Sequence, residues 1–259
     1  MKKIITRDYV PRAGDHLEGA VKFASFGVLF FSLLGTGIAW AGTDSFNCSS
    51  VIWKTSLILG LFLSVFAWLV YLPFRNTDQL LGNGLLAIFF FLCLFWVFGF
   101  AGFYFYFLFA PINIWPRAIA LCAVTAALLY RAHIIARDIR EAFEKNESLF
   151  SQMYCDEGVS ITFTREAIGL LEKARKNRNP FKSIHAYAAM IIAPFVLVLN
   201  RLLTPVLGDG HGVFLVSAFF SVPVLLWGVE IFVQTIVTMI YYPIKLQHET
   251  GKPVIIKDW

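Results

Sequence analysis

Charge is what this sequence most lacks. Asp, Glu, Lys and Arg make up 15% of its 259 residues, against about 25% in a soluble domain. That shortage excludes a disordered, solvating chain. Cysteine is also sparse, with Cys48, Cys93, Cys122 and Cys155 forming no CxxC and no Cys/His pair at ligand spacing. A disulfide scaffold and a zinc site are therefore not expected. The five histidines are scattered, and Walker, GxSxG and HExxH motifs are missing. No catalytic residue, metal or cofactor is expected on that pattern.

Apolar residues fill the space. They account for 58% of the chain, and mean hydropathy is +0.68. A folded chain of this size has too little interior for that much apolar surface, so the surplus must face lipid. Six runs are long enough for the ~20 helical residues that a hydrocarbon core requires. They lie near Phe23–Ala41, Val51–Leu72, Leu85–Phe109, Trp115–Ile135, Ile184–Pro205 and Val213–Tyr242. The runs are continuous rather than alternating, and backbone in lipid must be satisfied within the segment, so helices are expected rather than a barrel.

The reading is an all-α integral membrane protein with six transmembrane helices and both termini cytoplasmic (N-in/C-in). Its parts are a cytoplasmic segment 1–22, four spans within 23–135, a cytoplasmic connection 136–183, two spans within 184–242 and a tail 243–259. Orientation follows from the cations. With the N-terminus on one side, 19 of the 22 Lys and Arg fall on that side, and Lys54, Arg117 and Arg201 on the other. That asymmetry makes the first side cytoplasmic. It also explains the +5 net charge as a topology signal rather than a nucleic-acid footprint. Ala39-Trp40-Ala41 imitates a cleavage site, but Asp8, Asp15 and Glu18 precede the run, so the first helix reads as a retained span.

The connection carries structure of its own. Ile134, Ile135, Ile139, Ala142, Phe143 and Leu149–Phe150 recur at helical spacing among charges, so the fourth span should continue into the cytoplasm. Val159, Ile161 and Phe163 alternate as a short strand, and Thr164 is placed to cap a helix through Ala174. Val254–Ile256 is a second strand, expected to pair with Gly158–Phe163 or with a partner chain. Prolines such as Pro73 and Pro243 are expected to close helices. Tyr71-Leu72-Pro73 and Tyr241-Tyr242-Pro243 echo each other; duplicated hairpins or convergent interfacial chemistry would each explain it.

Two residue sets stand out. Glu230 lies inside the last apolar run with Gln234 one turn on, and a carboxylate there must face protein or water. Arg131 falls at similar depth on the fourth span and is the expected ion-pair partner, with His133 and Arg137 as alternatives nearer the cytoplasm. The second set is Lys173, Arg175, Lys176, Arg178 and Lys182, readable as contacts to anionic headgroups or as positive-inside bias.

The function expected is that of a non-catalytic inner-membrane protein acting through contacts within the bilayer. Such a protein is a subunit of an envelope complex, or an immunity-type protein against a membrane-active toxin. Its partners would be lipid and a membrane protein or a second copy, without nucleic acid. The alternative is a small transporter or channel subunit using Glu230, Gln234 and Arg131.

Overall fold

The computed structural model describes residues 16–176, Tyr187 and 196–256. Five of its helical rods are long and apolar enough to cross a membrane: Leu17–Ser45, Val51–Phe74, Leu80–Phe109, Ile114–Lys145 and His211–Thr250. The remaining expected span, Ile184–Pro205, is described only as a helix over Val196–Leu207; the rest of it lies outside the described residues.

Helix α1 (His16–Ser45) packs along α2 (Val51–Tyr71) through small and hydroxylated side chains. Apolar attraction between helices vanishes in lipid, so close approach and hydrogen bonds must hold them together. Thr36 Oγ1 and Ser56 Oγ lie 2.8 Å apart, as do Ser25 Oγ and Ser64 Oγ. Gly60 sits between these pairs, and a Cβ there would collide with the Ser32 side chain. Its missing side chain sets the helix separation.

The third rod is α3 (Leu80–Leu94), a ten-residue π-helical stretch (Phe95–Tyr104) and α4 (Phe105–Phe109). A π-helix this long is rare. Here it swings the ring-rich face toward the last span, and Gly102 lets the backbone approach Ser221. The fourth rod, α5 (Ile114–Lys145), continues past the apolar run as a charged helix, as its periodicity predicts.

A small α/β unit packs against the α5 end. It comprises α6 (Glu147–Met153), β1 (Tyr154–Asp156), β2 (Ile161–Phe163) and α7 (Glu166–Ala174). Strands β1 and β2 form an antiparallel pair, and β3 (Val254–Ile256) from the tail adds parallel to β2, with Ile161 opposite Val254. The third strand covers the edge that a lone hairpin would leave open. Ile256 N–H also donates to the Asp78 carbonyl at 3.0 Å, which clips the tail to the turn before α3. Ile135, Ile139, Phe163, Leu171 and Val254 share one core, so this unit and the rod ends fold as one body.

After α8 (Val196–Leu207) comes α9 (His211–Ile236). The Asn200 side chain accepts from the Val213 N–H at 3.1 Å, satisfying one donor of the first turn of α9 from a neighbouring helix. A π-helical turn (Val237–Tyr241) and α10 (Tyr242–Thr250) complete the last rod.

Several expectations need correction. Pro243 does not end the last helix, which runs on to Thr250. The proline follows the π turn, at the opening of the next helical segment, where its missing N–H costs nothing. The second rod instead leaves through a 3-10 turn at Leu72–Phe74, so the two Tyr-and-Pro exits differ in structure. Thr164 does not cap α7; Arg165 holds that position and makes no capping hydrogen bond with its side chain. The strand is shorter than expected, since Val159 is exposed and pairing begins at Ile161.

Candidate functional site

Glu230 and Arg131 meet across the α5–α9 contact, with Arg131 Nη2 donating to Glu230 Oε2 at 3.0 Å. At 1.5 Å per residue, Glu230 lies about 28 Å from the start of α9 and Arg131 about 26 Å from that of α5. Those depths are at the far edge of a ~30 Å hydrocarbon core, where the α/β unit begins.

Arg175 completes the cluster. It follows the last turn of α7, with its Nη2 donating to Glu230 Oε1 at 2.6 Å and its Nη1 to Gln234 Oε1 at 3.1 Å. One guanidinium therefore spans two residues one helical turn apart on α9. Its planar fork permits this, and a lysine ammonium would not reproduce it. The Arg175 side chain is 2% exposed, against 14% for Arg131 and 17% for Glu230. Both Glu230 oxygens are engaged, and the three ionic groups carry a net charge of +1.

The hydrogen bonding continues along α9. Thr238 Oγ1 donates to the Gln234 carbonyl at 2.8 Å. Within the π turn, the Thr238 carbonyl accepts from the Tyr154 hydroxyl at 2.5 Å. Burial pushes the Tyr154 phenol well above the ordinary tyrosine range, so it stays a neutral donor. Arg175 and Tyr154 thus tie the α/β unit to the last rod at two levels. Farther out, Lys252 Nζ lies 2.6 Å from both Asp156 oxygens. That contact, helped by the Gly158 N–H, holds the Asp156 carboxyl below its usual range.

The remaining expected site residues are placed differently. His133 is exposed and takes no part in the cluster. Arg137 pairs with Glu141 on its own helix at 3.5 Å. Lys173 and Lys176 are exposed, while Arg178 and Lys182 lie outside the described residues. Arg175 is the correction: its place in the basic run suggests a headgroup contact, but it is buried and its charge is used internally. A sequence signal existed. Ala167, Leu171 and Arg175 recur at i, i+4 and i+8, and the first two are buried, so Arg175 continues the core stripe while Lys173 and Lys176 fall off it.

Chemically the cluster is a clasp. A carboxylate gripped by two guanidinium groups and backed by an amide holds three elements in register. Among the described residues no three His, Cys, Asp or Glu side chains converge to hold a metal. Compared with protein-family models, curated proteins and solved structures, the chain matches none of them.

Proposed function

We propose that this chain is a non-catalytic, multi-pass protein of the cytoplasmic (inner) membrane that works by packing against another membrane protein. It would serve as a subunit of an envelope complex or as an immunity-type protein that neutralises a membrane-active toxin. The side holding both termini and the α/β unit is assigned to the cytoplasm, because 19 of the 22 Lys and Arg fall there.

The observation that carries this reading is the outer face of α5. Only 6% of its apolar stretch is buried among the described residues. Ala118, Cys122 and Ala126 recur along it at four-residue spacing, all exposed, beside Ile119 and Tyr130, which are 64% and 68% exposed. Small residues at that spacing let a second helix approach closely in lipid, where packing is the main attraction. Against a proton path through Glu230, both its oxygens are committed to arginines, and the clasp lies at the membrane edge rather than the midplane sites of transporters.

Cys122 offers the test. In native membranes, with Cys155 replaced by Ser, oxidative or bis-maleimide cross-linking through Cys122 should give one discrete higher-mass product. Its mass identifies a second copy or a different partner. Ala126→Phe should abolish that product while monomer abundance is kept. A clean monomer under cross-linking, together with a monomer and no companion after mild-detergent purification, would overturn the proposal.

A further inference from the structure

A cleft of about 390 Å³ opens between α1 and α3, at the end of the bundle where the α/β unit sits. That volume is within the ~300–1,000 Å³ of small-molecule sites. Its walls carry almost no polarity. Among the described lining residues only Asn83, in the first turn of α3, and Arg165, at the head of α7, are polar. Arg165 already has an interaction within the protein, so the cleft offers no free charge to a ligand. Deeper in, Phe23, Phe90 and Phe91 supply rings, with those of Phe23 and Phe90 5.7 Å apart. Phe23 is 67% exposed, so the cleft opens sideways to the surrounding lipid.

Asn83 is the residue that packing alone does not account for. It is 6% exposed, lines the cleft, and its amide makes no hydrogen bond among the described residues. Buried amides are normally paired, so its partner must come from the cleft itself. From Asn83 to Phe90 is about 10 Å along the helix, with the small Ala87 between them on the cleft wall. One hydrogen bond and one six-membered ring span such a distance.

We infer that the cleft between α1 and α3 binds the head of a membrane quinone, a neutral ring carrying an isoprenoid chain. One ring carbonyl accepts from the Asn83 amide, and the ring lies against Phe23 and Phe90. Three features select this chemistry. The described lining holds no uncommitted cation for an anionic headgroup. The amide supplies the donor that a carbonyl lacks in hydrocarbon, where water is absent. Aromatic walls favour a flat ring through offset and edge-on contacts, which an acyl chain cannot make. The sideways opening lets the isoprenoid chain stay in the bilayer. Binding here is independent of the contact face proposed for α5.

Native mass spectrometry of the full chain in detergent, titrated with decylubiquinone, tests it. Decylbenzene (a ring and chain without carbonyls) and dioleoylglycerol (ester carbonyls without a ring) separate the contributions. The expected result is one decylubiquinone per chain, with at least tenfold weaker binding of either control. Asn83→Leu should reduce decylubiquinone binding to the decylbenzene level. Because the Asn83 amide has no partner among the described residues, the ligand-free unfolding temperature of that variant should not fall. Ala87→Leu should abolish binding by filling the cleft beside Asn83. Equal binding of decylbenzene or of dioleoylglycerol, undiminished binding to either variant, or a ligand-free loss of stability in Asn83→Leu would each overturn the inference.

Discussion

Arg175 reaches Glu230 across 55 residues of sequence and closes to 2.6 Å, the shorter of the two arginine contacts to that carboxylate. The relationship joins a soluble-looking unit to a membrane rod through a charge pair almost out of reach of water. In such surroundings a missing partner costs far more than a surface pair contributes.

Glu230→Gln should destabilise the protein by about 3–5 kcal/mol, because it leaves Arg175 and Arg131 without their counter-ion, whereas Arg175→Met leaves Glu230 paired with Arg131 and should cost less. The double variant should cost much less than the sum, since the two act as one unit. Thermal unfolding in detergent reads this cycle. Strict additivity would mean that the clasp is not coupled. Steady proton flux in vesicles that disappears in Glu230→Gln at unchanged stability would instead favour a relay.

Tyr154→Phe removes the donor to the Thr238 carbonyl and leaves a buried acceptor unpaired, at a cost of about 1–3 kcal/mol. Since the phenol is held well above the ordinary tyrosine range, alkaline titration followed at 295 nm should show Tyr154 ionising only as the α/β unit unfolds. Ionisation of Tyr154 near pH 10 in the folded protein would contradict its burial.

The tail strand has a pH dependence of defined sign. Lys252 and the Gly158 amide hold Asp156 below its usual range, so their contribution is complete above the unfolded value of about 3.9. It is lost as pH falls through the depressed folded value. Hydrogen exchange at Val254–Ile256, corrected for intrinsic rates, should be flat from pH 8 to 5 and rise in acid. Asp156→Asn should show raised exchange at neutral pH and lose the acid transition. Because the pair is exposed, the effect should stay local to β3.

Two glycines should behave oppositely. Gly60→Leu forces α2 away from Ser32 on α1, an overpacking cost of about 1–3 kcal/mol. Gly37 has open space where a Cβ would sit, so Gly37→Ala should stabilise its helix by about 0.5–1 kcal/mol. Unfolding midpoints of both variants, measured in the same detergent, check the contrast.

How far the sequence could be read depended on the range of the interaction. The continuation of α5 and the strand character of Ile161–Phe163 and Val254–Ile256 were legible, because helical spacing and alternation are local properties. The depth of Glu230 and Arg131 was legible too, because a fixed rise per residue converts sequence position into distance. The helical path through Pro243 was not, since it depends on a π turn at Val237–Tyr241 that no local pattern announces. Nor was β1, whose Tyr154-Cys155-Asp156 lacks clear alternation and becomes a strand by pairing with β2.

The sequence by itself determined that the long apolar runs are helices of a length and composition suited to lipid, because a backbone without water must satisfy its polar groups within each run. Only the tertiary structure decided which second cation joins Arg131 at Glu230. Many arginines and lysines crowd the same side of the chain, and their selection rests on the packing of α7 against α5 and α9. That packing turned Arg175 inward and left Lys173 and Lys176 outside.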